Sequence, residues 1–163
     1  MNSVSSIEID SYHRTNLILW GGILSGIIIF IFIILVFDQV KSIKSFEIPA
    51  YIEKYLFLIA IAFALLIIIM KRSVFLPTNL TNSIKNTAII DKREILFKKM
   101  RRNYIIIWSL AESIFIIGLV DYIFFVRFDS FLIYAIVSIY SLIINIPRKS
   151  SIEKSLELLK ADL

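Results

Sequence analysis

The stretch Tyr104–Val126, YIIIWSLAESIFIIGLVDYIFFV, decides the class of this protein. A bilayer's hydrocarbon core, ~30 Å thick, takes about 20 helical residues at ~1.5 Å each, and this run is long enough to cross it. In lipid only a helix satisfies its own backbone groups within one segment, so the stretch is helical. Two features set it apart from a plain apolar span. It carries a carboxylate, Glu112, well inside it, and it follows directly on the most cationic part of the chain, KKMRRN. Lys98, Lys99, Arg101 and Arg102 there are placed to meet lipid phosphates.

Three more apolar blocks lie around it: Leu17–Phe37, Tyr55–Met70 and Phe131–Ile146. The second is short and can start a turn earlier, near Ile52, with Glu53 and Lys54 reaching to the headgroups. Of the 163 residues, 58% are hydrophobic, with a mean hydropathy of +0.83. The apolar residues come in unbroken blocks rather than at the period of a soluble helix or strand. The expectation is an all-α, integral membrane four-helix bundle, a single membrane domain over residues 1–163. The absence of cysteine excludes thiolate metal sites, cysteine nucleophiles and disulfide relays. The formal charge of +5 does not point to nucleic acid, because the cations sit at the ends of apolar blocks.

The connecting segments are polar. Met1–Asn16 reads as a frayed or surface-lying tail, and Asp38–Lys54 as a wet connection containing Pro49. Pro77 and the run Thr78–Ser83 read as a loop. From Asp91, a capping residue with Glu94 three positions on, a helix is expected to run unbroken into Tyr104–Val126. Arg127-Phe128-Asp129-Ser130 reads as a tight turn, so the last two spans form an antiparallel hairpin. Pro147 closes the fourth span. Beyond it, Ser150 with Glu153 forms a capping box, and Ile152, Leu156, Leu159 and Leu163 give residues 150–163 the pattern of an amphipathic tail helix at the membrane surface.

Orientation follows from the cations. The N-tail, the segment between spans two and three and the C-tail hold 14 Lys and Arg, against 4 on the opposite side. The positive-inside rule then places both termini in the cytoplasm, N-in/C-in, which makes the tail helix cytoplasmic.

Two sets of residues are candidates for packing. Gly21, Gly22, Ser25 and Gly26 form overlapping small-x-x-x-small pairs in span one, which allow close approach of a second helix, within the chain or outside it. Tyr134, Ser138, Ser141 and Asn145 recur on one helical face of span four, a polar seam that lipid would reject. Glu112 lies near mid-membrane by helical rise, where matching of depths brings Ser25 and Ser138 to its level and Ser109 lies one turn before it. An ionised carboxylate there costs at least ~2.5 kcal/mol, so it is expected to face inward, to be protonated much of the time, or to hydrogen-bond to hydroxyls such as Ser25, Ser109 or Ser138. The seam is then either interhelical glue or a hydrophilic path with Glu112 as its proton- or cation-binding group. Asp121, nearer the end of its span and within reach of Arg127, is assigned a structural role.

Catalytic parts are missing. The one histidine, His13, lies outside the first span, and no Walker motif, nucleophile elbow or paired acidic metal motif occurs. Neither a cofactor nor a metal is expected.

The run RRNYIIIWSLAES, the tight polar turn and a last span ending in Pro-Arg resemble small four-span bacterial inner-membrane proteins. The matching positions are Arg101 or Arg102, Trp108, Glu112 and Pro147, and the likeness covers about the last third of the chain. It implies the four-span layout and an inner-membrane location and singles out Glu112, but implies no activity. The expectation is a non-enzymatic subunit or accessory component of a larger membrane complex. It would contact lipids and a partner membrane protein, or further copies of itself, and not nucleic acid. The alternative is a small oligomeric transporter or channel subunit coupled through Glu112.

Overall fold

The computed structural model describes residues 6–40, 49, 51–74, 77–82 and 92–161. Among them 94% are helical, with no strands. Six helices follow one another: α1 (Ser6–Val40), α2 (Tyr51–Val74), α3 (Pro77–Asn82), α4 (Lys92–Phe125), α5 (Phe128–Ile144) and α6 (Lys149–Ala161). Three of them, α1, α2 and α4, are long and apolar enough to cross a membrane. A fourth candidate is α5 with α6, bent by 47° at the break between them.

Several boundaries differ from expectation. Helix α1 begins at Ser6, so much of the stretch read as a frayed tail is helical. Tyr12 explains part of this: its hydroxyl donates to the Phe97 carbonyl (2.9 Å) and its ring stacks on Phe97, docking the early turns of α1 on α4. The segment read as a loop after Pro77 contains α3, whose Leu80 is buried, and α3 packs mainly against α6. Proline at the first helical position explains the start of α3, since its missing N–H would be unbonded there in any case. The start of α4 at Lys92 agrees with the expected onset, while the proposed cap, Asp91, lies outside the described residues.

The turn between α4 and α5 is shorter than expected. It consists of Val126 and Arg127, with Phe128 already helical. Val126 has φ 52°, a left-handed conformation that ends α4, and its amide donates to the Tyr122 carbonyl at 2.8 Å. Helix α6 begins one residue before Ser150, which therefore sits in its first turn instead of capping it. Its apolar side, Ile152 and Leu156, is buried, and α6 lies against α3 and α1. The tail helix thus docks on the protein as well as being amphipathic. Leu163 lies outside the described residues.

Helix α5 is the element on which the others converge. The last carbonyls of any helix lack partners of their own. Here Trp20 Nε1 on α1 donates to the Leu142 carbonyl (2.9 Å), Lys71 Nζ on α2 to Ile144 (2.8 Å), and Trp108 Nε1 on α4 to Asn145 (3.2 Å). His13 Nε2 donates to the carbonyl of Pro147 just beyond (3.0 Å). Each longer helix therefore places a donor on the end of α5, which fixes their common level. Helices α4 and α5 approach each other closely at Gly118. A Cβ added to Gly118 would stand 2.6 Å from Tyr134 Cβ. The space that a missing side chain leaves is what lets these two helices meet.

Candidate functional site

Helix α4 presents two opposite faces. Tyr104, Ile107, Ala111, Ile114, Gly118 and Asp121 recur at alternating steps of three and four, and all are buried. Ile105, Ser109, Glu112, Ile116 and Ile123 form the outer face, and all are exposed. Glu112 and Asp121 are nine residues apart, and at about 100° per residue that separation leaves them half a turn from each other. One acid points out and the other in.

Glu112 is the outward one, contrary to the expectation of an inward carboxylate. Among the described residues it makes no hydrogen bond or ion pair. The hydroxyls grouped with it go elsewhere. Ser138 is buried and donates to the Ala111 carbonyl at 2.7 Å, bonding α5 to α4. Ser109 and Ser25 are exposed, and the Ser109 carbonyl accepts from Ser113 Oγ at 2.8 Å. The physical reason is helical phase: the packing face of α4 is set by Ala111, Gly118 and the aromatic residues, and Glu112 falls opposite.

The polar seam of α5 does face inward, with Tyr134, Ser138, Ser141 and Asn145 all buried. Its bonds are structural. Ser141 Oγ donates to the Val137 carbonyl (2.8 Å) and Asn145 Nδ2 to that of Ser141 (2.8 Å), while Ser138 and the Asn145 carbonyl link to α4. Among the described residues, the glycines of α1 have no close-packed neighbour. Nothing comes within 4 Å of a Cβ built on Gly21, Gly22 or Gly26. The close packing expected of a glycine seam is found at Gly118 instead.

Of the cations before the span, Lys98 and Arg102 are exposed. Arg101 departs from the headgroup-contact expectation, because its guanidinium lies over the Tyr12 ring, 5.2 Å from the centroid. At the same end Lys149 Nζ pairs with Asp10 at 2.6 Å, and that carboxylate holds the ammonium above its usual range.

The residue that sequence reasoning undervalued is Asp121. Its relative exposure is 0%, and neither carboxylate oxygen has a hydrogen-bond partner among the described residues. The nearby guanidinium, Arg127, gives its hydrogen bond to Glu53 at the start of α2 (2.6 Å) instead. Glu53, Arg127 and Tyr134 all lie close enough to act electrostatically on Asp121. Next to it in sequence, Tyr122 donates its hydroxyl to Asp38 of α1 at 3.1 Å. A cavity of about 600 Å³ opens beside this group between α2 and α5, with Glu53, Lys54, Ser130 and Tyr134 as its polar lining. No group of three or more His, Cys, Asp or Glu suited to a metal ion occurs among the described residues.

Three helices, or four if the bent pair is one span, are long and apolar enough to cross a membrane, and they mark a multi-pass membrane protein. Compared with known proteins, the chain matches no family model, no curated protein and no solved structure.

Proposed function

We propose that this chain is a non-enzymatic subunit or accessory component of a larger membrane assembly. In this reading it is a four-helix bundle in a bacterial inner membrane with both termini cytoplasmic. The distribution of Lys and Arg and the resemblance to small four-span inner-membrane proteins support that setting. The observation that carries the functional reading is the outward-facing Glu112. A carboxylate turned to acyl chains near mid-membrane costs at least ~2.5 kcal/mol when ionised, and a hydrogen-bond donor from a neighbouring span offsets that cost.

A second surface supports the same reading. The Gly21, Gly22, Ser25 and Gly26 face of α1 is open, so a partner helix can approach it closely. The Phe30–Phe115 ring contact (6.4 Å) fixes the register of α1 against α4, which run in the same direction. Counting back from that contact puts Ser25 and Glu112 within about 3 Å of the same depth. The partner's chemistry follows: a membrane span with a hydroxyl, amide or basic side chain at that level. Lys98 and Arg102, exposed in the early turns of α4, serve as lipid headgroup contacts together with Lys99.

The transport reading through Glu112 requires a path between chains, because Glu112 stands half a turn from the buried face of α4. The discriminating experiment is purification in mild detergent. The parent chain should bring down a membrane partner at fixed stoichiometry. Glu112→Gln, which keeps hydrogen-bonding capacity, should retain it, and Glu112→Ile or Gly22→Leu should lose it. Isolation of the parent as a clean monomer under every mild condition refutes the reading.

A further inference from the structure

The far end of α4 holds an acid that neither the partner reading nor the fold accounts for. Buried carboxylates in folded proteins are paired, hydrogen-bonded or neutral, because an isolated buried charge costs far more than a fold can absorb. Asp121 is fully buried and, among the described residues, has no hydrogen-bond partner on either oxygen. Pairing with Arg127 would offset the cost, but the guanidinium bonds Glu53. On this side two carboxylates, Asp121 and Glu53, therefore share one guanidinium, and a third, Asp38, is engaged by the Tyr122 hydroxyl. From α5 the group facing Asp121 is the Tyr134 phenol. Glu53 and Tyr134 also line the cavity between α2 and α5, where Lys54 lies exposed. Among the described residues, Asp121 and Glu53 thus have one guanidinium between them, beside an opening large enough for water.

We infer that Asp121 is an exchangeable proton-binding site, neutral in the resting protein and reached through the cavity lined by Glu53 and Tyr134. A proton needs only the carboxylate itself, whereas a metal cation needs several converging ligands, and no such cluster occurs among the described residues. The acid assigned a structural role is thereby the one placed to take up a proton, and Glu112 is not part of this site.

The test is infrared spectroscopy of the purified chain in lipid nanodiscs. At neutral pH the parent should show the carbonyl band of a protonated carboxyl that is absent from Asp121→Asn and present in Glu112→Gln. The band should shift in D2O within minutes and disappear as the pH is raised. In Glu53→Gln, which removes the neighbouring negative charge, it should disappear at a lower pH. That variant keeps the test decisive if Asp121→Asn fails to fold. Three results overturn the inference: no difference band at neutral pH with Asp121→Asn folded, a band that never exchanges in D2O, or its loss on adding Na⁺ at constant pH. None of these bears on partner capture, so the two proposals stand or fall separately.

Discussion

Replacing Gly118 by alanine is the sharpest test of the packing described above. The added methyl carbon would stand 2.6 Å from Tyr134 Cβ, 3.1 Å from its Cγ and 3.2 Å from its Cδ2. Carbon atoms in good contact are about 3.5–4.0 Å apart, so the closest pair falls short by roughly 1 Å. Tyr134 Cβ is fixed to its backbone and cannot swing away, so α5 itself must shift. Overpacking of this kind costs about 1–3 kcal/mol. Alanine returns up to ~1 kcal/mol through its higher helix propensity, which leaves a net loss of up to about 2 kcal/mol. Gly22→Ala is the matched control, because its new methyl meets nothing within the chain and only the propensity gain remains. Both variants would be unfolded in mixed micelles with increasing SDS and followed by far-ultraviolet circular dichroism. The expected order of stability is Gly22→Ala at or above the parent and Gly118→Ala clearly below it. If Gly118→Ala is as stable as Gly22→Ala, the close approach of α4 and α5 is wrong, and with it the placement of Asp121.

Ser138→Ala removes the bond from α5 to the Ala111 carbonyl and should lower stability by about 0.6 kcal/mol, at most ~1.7, in the same unfolding experiment. Trp108→Phe, which strips a buried donor from the Asn145 carbonyl, should do likewise, and a neutral result there would count against the role assigned to the end of α5. Val126→Gly relieves a β-branched residue held at φ 52° and should raise stability by up to about 1 kcal/mol, whereas a loss would show that the turn depends on the valine side chain.

The helical class and the presence of several membrane-length apolar helices could be read from the sequence because they rest on length and hydropathy, which act one segment at a time. Which face of a span turns inward rests on packing between segments. Glu112 stands out in the sequence as the acid deepest in an apolar run, but depth alone does not set the direction a side chain faces. The better signal was in the same stretch. Tyr104, Ala111, Gly118 and Tyr122 recur at helical spacing, and small and aromatic residues mark the packing face of a span. The isoleucines 105, 116 and 123 mark the lipid face, and Glu112 shares it. Reading that phase would have turned Asp121 inward and left Glu112 outside. The end of α5 had no comparable signal. Trp20, Lys71, Trp108 and His13 are scattered along the chain, and only the fold brings them to neighbouring carbonyls. The glycine face of α1 matched a genuine packing pattern, but sequence alone could not say whether its partner lay inside the chain.

Helix α4 runs 34 residues without a break, about 50 Å, which exceeds the hydrocarbon thickness of a bilayer. Its two acids are fixed to a single stiff shaft half a turn apart. Any rotation of that shaft about its own axis carries them in opposite senses, so Asp121 leaves the interior as Glu112 enters it. A contact that holds Glu112 on the outside therefore also holds Asp121 within, although the two side chains never touch.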